Sequence, residues 1–65
     1  MNKADLRRAN FKSAKLYNTD FRMANLYQAN LRDAELQQAD LRRANFLSAD
    51  FTGADMKGVK LDGHV

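Results

Sequence analysis

The side chains that could do chemistry in this sequence are few and poorly matched to one another. Ser13 and Ser48 carry hydroxyls, and His64 is the only imidazole. A nucleophile needs a base held against it and a third group to orient that base. No such triad can be picked out here. Asp33 and Glu35 are close enough in sequence to suggest an acid and a base. A carboxyl group takes up that work only where burial or a neighbouring charge shifts its pKa. Both fall on outward positions of the pattern described below, with no cleft to shift them. One histidine and no cysteine rule out a thiolate or zinc site within one chain, and no glycine-rich loop is present to hold a phosphate. The sequence is read as non-enzymatic, with no catalytic, metal or cofactor-binding residue and no cofactor.

The basic residues offer a second chemistry. Eleven Lys/Arg against eight Asp/Glu give a net charge of +3, and residues 1–20 hold five basic and two acidic groups. That excess is small for a nucleic-acid binder. Its effect depends on whether the fold gathers it into rows. Arg22, Arg42 and Arg43, with Lys12 and Arg32, are the candidates for such a row, which would meet phosphates spaced along a backbone.

What positions these residues is a five-residue frame running from Ala4 to Gly63 in twelve units. All ten alanines open a unit: Ala4, Ala9, Ala14, Ala24, Ala29, Ala34, Ala39, Ala44, Ala49 and Ala54; Thr19 and Val59 fill the two gaps. Chance would place ten alanines in one phase with odds of roughly one in a million, so the repeat is real. The third position reads Leu6, Phe11, Leu16, Phe21, Leu26, Leu31, Leu36, Leu41, Phe46, Phe51, Met56 and Leu61. Most second positions are Asp or Asn.

Local propensity favours a helix, since Ala, Leu, Arg and Gln abound and there is no proline. Geometry excludes it. Positions five apart on an α-helix are displaced by about 140°, so the apolar residues would spiral around it and leave no polar face. A continuous flat strand fails as well, because an odd spacing alternates faces. Within one unit, the first and third residues share a strand face. Short extended segments, each followed by a corner, return every such pair to a common core. Corners of about 90° would close a coil every twenty residues, placing residue n about 4.8 Å from n+20.

The tandem Ala-Asp/Asn-Leu-X-X pattern resembles the pentapeptide-repeat family over nearly the whole chain. The resemblance implies an all-β fold, a right-handed quadrilateral β-helix of about three coils with four pentapeptides per coil. It would form one domain over residues 4–63, with 1–3 and 64–65 as short tails lacking a visible cap. The first and third positions would face inward, so the core would hold the twelve large residues with Ala24, Ala29, Ala34 and Ala39. Lys15, Glu35 and Lys60 depart from the Asp/Asn consensus. In the twenty-residue register Lys15 falls on Glu35 and Lys60 on Asp40, which would pair opposite charges. Asn25 over Asn45, and Asn10 over Asn30, would form amide ladders. The four phenylalanines are expected in the outer coils, where large rings would cover the ends.

Function is expected to lie in the regular surface itself: a structural or protein-interaction module with an unknown protein partner. Self-association through the uncapped coil ends is a further expectation, because stacked strands end on unpaired edges. Nucleic-acid backbone binding through the stacked Arg/Lys rows is the alternative. Some relatives of the family bind type II topoisomerases by mimicking duplex DNA, which requires an acidic surface; the positive charge here disfavours it. No apolar run approaches the roughly 18 residues of a membrane span and no secretory segment precedes the repeat. The expected location is cytoplasmic, with no membrane partner.

Overall fold

The computed structural model describes residues 1–62; Gly63, His64 and Val65 lie outside the described residues, and with them the candidate histidine and the C-terminal tail. The backbone never forms a long strand among the described residues. Each unit contributes a single extended residue to a parallel pairing, then turns. Asp5, Asn10, Lys15 and Asp20 pair with Asn25, Asn30, Glu35 and Asp40, and these pair in turn with Asn45, Asp50, Asp55 and Lys60. All eight pairings are parallel and twenty residues apart. The chain therefore has four sides, and each side carries every fourth unit.

The backbone hydrogen bonds explain why a five-residue unit suffices. From Leu6 to Leu41 the third N–H of each unit donates to the level above, as from Leu6 to the Asn25 carbonyl at 2.8 Å. From Lys3 to Gln38 the fifth does likewise, as from Arg8 to Tyr27 at 2.8 Å, while from Asn25 onward the second reaches the level below, as from Asn25 to Ala4 at 2.9 Å. The first N–H closes the corner, Ala9 donating to Leu6 at 3.0 Å. That leaves the fourth. In nine units the side-chain oxygen of the second residue accepts it, at 3.0–3.3 Å. This is an Asx-turn, and it gives the Asp/Asn preference its cause. Where Lys15, Glu35 and Lys60 stand, no such bond is made. The Oδ1 atoms of Asn10, Asn25, Asn30 and Asn45 accept this turn bond, and the expected amide ladders of Asn10 with Asn30 and Asn25 with Asn45 are not formed.

The corner has a feature that only the glycines announce in the sequence. The fifth residue of every described unit lies at positive φ, from Lys3 at 61° to Gly58 at 71°, and only two of the twelve are glycine. Positive φ at the third residue of a turn alone, with the 1→4 hydrogen bond present, defines a type II turn. The ten non-glycine residues there include Met23 and Gln28 at 59°.

Among the described residues ten are buried: Leu16, Phe21, Ala24, Leu26, Ala29, Leu31, Ala34, Leu36, Ala39 and Leu41. Eight of them, from Ala24 to Leu41, belong to the middle level, which has a neighbour on both sides; Leu16 and Phe21 lie in the first, beneath Leu36 and Leu41. Leu6, Phe11, Phe51 and Met56 pack against them but are only partly buried. Phe46 is 38% exposed and Leu61 49%, so these two assigned core residues face the end of the stack, uncovered by any described level. Phe11 meets Phe21 edge-on at 6.2 Å, and Phe46 meets Phe51 at 5.8 Å. Phe21 is no end cover; it is wholly buried.

Candidate functional site

The outward residues at the second, fourth and fifth positions form rows, since each lies over its counterpart twenty residues on. Arg22 lies over Asn2 and under Arg42, with Arg43 and Met23 beside them; Arg22, Met23, Arg42, Arg43 and Asp62 line one shallow groove. Lys12 and Arg32 share a different side. The twenty-residue register places these two groups on separate sides, and the first holds three arginines.

Two of them, Arg22 and Arg42, are not free charges. Arg22 donates through Nε to Asp20 Oδ1 and through Nη2 to Asp20 Oδ2, both at 2.9 Å. Arg42 does the same to Asp40, at 2.9 and 2.6 Å, and Arg7 to Asp5 at 2.8 Å twice. The geometry follows from the turn. The Asx bond holds the carboxylate over the N–H two residues on, and an arginine at that position folds its guanidinium back onto both oxygens. Arg32, whose second residue is Asn30, instead lies 3.7 Å from Asp50 of the next level. The expected cross-level partners Lys15 and Glu35 are paired in register but form no ion pair; the ion pairs run mainly within units.

The same forks set the acidities. Asp40 is lowered from an ordinary 3.8 to about 2, mainly by the side-chain bonds from Arg42. Asp20 is lowered further by Arg22, and Asp5 is lowered by Arg7. Asp50 is lowered by Thr52, whose hydroxyl and N–H both reach Oδ1. A carboxyl depressed by folding releases its proton more readily in the native state. Its contribution is complete above the unfolded value near 3.8 and is lost as pH falls through the folded value near 2. Asp40→Asn retains the acceptor for the Arg42 N–H and removes the charge. Thermal melts from about pH 6 down to about pH 2 should show a shallower acid loss in this variant than in the parent. Parallel curves would refute a stabilising fork.

The other candidates scatter. Ser13 and Ser48 occupy positive-φ corners on different sides, and Asp33 and Glu35 flank a corner in the open. Asp33 Oδ1 fills the space a Cβ on Gly53 would take, so that carboxylate packs over a glycine. Of the outward apolar residues, Leu47 is 67% and Tyr17 53% exposed; Leu47 stands over Tyr27. A second groove is lined by Lys15, Tyr17, Asn18, Glu35, Gln37 and Gln38. In it Gln37 Nε2 donates to Asp55 at 2.8 Å, and Gln37 Oε1 has no partner among the described residues. Among the described residues, no helix is long and apolar enough to cross a membrane.

No curated protein matches the sequence. Among solved structures, a pentapeptide repeat protein from the Arabidopsis thaliana thylakoid lumen is 33% identical, with a TM-score of 0.60, over 89% of this chain and 37% of its own. HetL, a pentapeptide repeat protein involved in heterocyst differentiation regulation in the cyanobacterium Nostoc, is 32% identical, with a TM-score of 0.60, over 98% of this chain and 35% of its own. QnrB1, a plasmid-mediated fluoroquinolone resistance protein, shares the fold at 21% identity and a TM-score of 0.61, over 95% of this chain and 37% of its own. The chain spans little more than a third of these proteins. The family model for pentapeptide repeats matches in eight copies over residues 1–26 and 24–63. With the five-residue frame, the twenty-residue pairing and this match in agreement, the chain belongs to the pentapeptide-repeat family, whose fold is the right-handed quadrilateral β-helix.

Proposed function

We propose that the chain is a non-catalytic structural or protein-interaction module, built of about three coils over residues 4–63 and acting through its regular outer surface. The observation that supports this is the disposition of charge. The side bearing Arg22 and Arg42 holds five basic residues (Lys3, Arg22, Arg42, Arg43 and Lys60) against three acidic ones (Asp20, Asp40 and Asp62). Its two stacked arginines are already matched by their own aspartates. A phosphate backbone would have to compete with an intramolecular carboxylate at each rung, with little counterion release to gain. Duplex mimicry is equally poorly served: the surface is not acidic, and the molecule measures 25 × 23 × 21 Å, nearly equal in all three directions. A protein partner needs neither charge excess nor length. Leu47, exposed over Tyr27, offers it an apolar anchor.

The test is a pair of measurements on the intact chain. Fluorescence anisotropy with duplex DNA and with RNA at low salt should show no binding at about 10 µM protein. Affinity that is micromolar and falls steeply with salt would replace this reading with the nucleic-acid one. Crosslinking in lysate should capture a protein partner with the parent chain and lose it with Leu47→Glu. Equal capture by both would remove Leu47 from the interface.

A further inference from the structure

One of the four sides is nearly bare of charge. Above Arg7 and Arg8 its outward positions hold Asn25, Tyr27, Gln28, Asn45, Leu47 and Ser48, none of them charged. Each of the other three sides carries at least three charged residues over the same two levels. A solvated face gains nothing from losing its charges. The centre of a protein interface does, since burying an unpaired charge is costly, and tyrosine and arginine are residues that interfaces favour. Leu47 is 67% exposed and stands over a half-buried Tyr27. Below them Asp5, Arg7, Arg8 and Tyr27 line a recess. Arg7 is folded onto Asp5. Arg8 is not: its Nε donates to the neutral Gln28 Oε1 at 3.1 Å, and no carboxylate among the described residues pairs with it. The side thus presents an apolar pair and, one level lower, a single unmatched positive charge.

The backbone decides how a partner can read this side. In its middle unit five consecutive N–H groups are already bonded: Asn25 to Ala4, Leu26 to Asn45, Tyr27 to Asn25 Oδ1, Gln28 to Leu47 and Ala29 to Leu26. Recognition by strand addition needs an unpaired row, and none runs along this side. Side chains are left to be read, at the spacing of the levels. Levels are about 4.8 Å apart, so Leu47, Tyr27 and Arg8 span about 9.6 Å along the stack. Same-face residues of an extended peptide recur every 6.7 Å or so, about two residues' rise, and fall between levels. On an α-helix, residues i, i+3 and i+7 share a face and rise by about 4.5 and 10.5 Å, in step with the three levels.

We propose that this side docks an amphipathic helix of a partner protein, laid along the stack. Apolar side chains at i and i+3 rest on Leu47 and Tyr27, and an Asp or Glu at i+7 reaches Arg8. The charge-assisted bond at the rim sets the direction and register of the helix, while the apolar pair supplies the buried area. The inference rests on the reading of the outer surface as a protein-binding module and adds the class of partner that one side takes.

The test selects binders to the full chain from a phage library of randomised peptides of about 16 residues, enough for about four helical turns. Enriched sequences should carry two apolar residues three or four apart and an Asp or Glu three or four further on. A synthetic peptide of enriched sequence should gain helical circular dichroism on binding. Leu47→Glu and Gln28→Glu should each weaken it about tenfold. The second change is nearly isosteric, keeps Arg8 and hands it a carboxylate of its own. Arg8→Glu should weaken binding likewise, and replacing the peptide's carboxylate by lysine should recover affinity for that variant. All three positions are exposed, and circular dichroism of the variants alone checks that each is folded. A library that enriches no such spacing, a peptide that stays extended when bound, or affinity unmoved by Gln28→Glu would each overturn the inference. If Leu47→Glu weakens binding where Gln28→Glu does not, the protein-binding surface stands and the acidic helix falls. If neither does, this side is no interface and the Leu47 anchor falls with it.

Discussion

Leu31→Lys is expected to abolish the cooperative unfolding transition, and Arg32→Glu, one residue later, to leave it nearly unchanged. Leu31 has no exposed surface and stands between Phe11 and Phe51 in the central level. Removing its side chain alone would cost about 2–5 kcal/mol. A lysine there adds an ammonium with no partner, since no polar residue among the described ones is buried in this core. Covered by levels on both sides, it has no short route to water along its stem. Desolvating an unpaired charge costs several kcal/mol more. The whole stability of a chain this size is about 3–10 kcal/mol, so the native state is lost. Arg32 points outward, bonded to Asn30 at 3.2 Å and 3.7 Å from Asp50. Losing those exposed contacts costs about 0–1 kcal/mol, with some repulsion from Asp50 besides. Circular dichroism and thermal melts of the two variants decide the matter. Equal behaviour would mean that the inward and outward positions are misassigned.

The fold was legible because one arithmetic fact, the phase of the alanines, fixes which residues face inward. Once Ala and Leu must return to one axis every five residues, the twenty-residue pairing follows, and the structure has it at all eight pairs. The surface was less legible, for a physical reason. Lys15 over Glu35 suggested charges paired across levels, but a backbone separation near 4.8 Å does not determine where long side chains end. The shorter path lies within a unit, where an Asx-turn already fixes a carboxylate for an arginine two residues on. Asp-X-Arg at second and fourth positions was present in the sequence at Asp5, Asp20 and Asp40, and would have revealed the forks. Among the described corners, positive φ was announced only by Gly53 and Gly58. The ten other residues there are ordinary, and several are poor choices for that conformation.

This last point leads to the second large effect. Gln28→Pro is expected to destabilise by about 3 kcal/mol or more, while Tyr27→Pro, in the same corner, is nearly neutral. Gln28 sits at φ 59° and donates its N–H to Leu47 at 3.1 Å. Proline fixes φ near −65° and has no N–H, so it breaks the turn and one inter-level bond together. Tyr27 is the second residue of a type II turn, where proline's φ is the native one. It would lose only the bond to Asn25 Oδ1 at 3.2 Å, worth about 0.5–1.5 kcal/mol. Restricting the unfolded chain offsets about 0.4–1 kcal/mol of that. Gln28→Gly completes the series. A left-handed residue costs about 1–2 kcal/mol with a side chain, and glycine gives back about 0.5–1 kcal/mol in chain entropy, so glycine should match or exceed the parent. Denaturant melts of the three variants should therefore rank glycine first, Tyr27→Pro near the parent and Gln28→Pro last by a wide margin. If both prolines were equally harmful, the corner would not be a type II turn. Corners of this kind persist only because the levels above and below hold them, so strain at the fifth position is carried by the stacking of the other four.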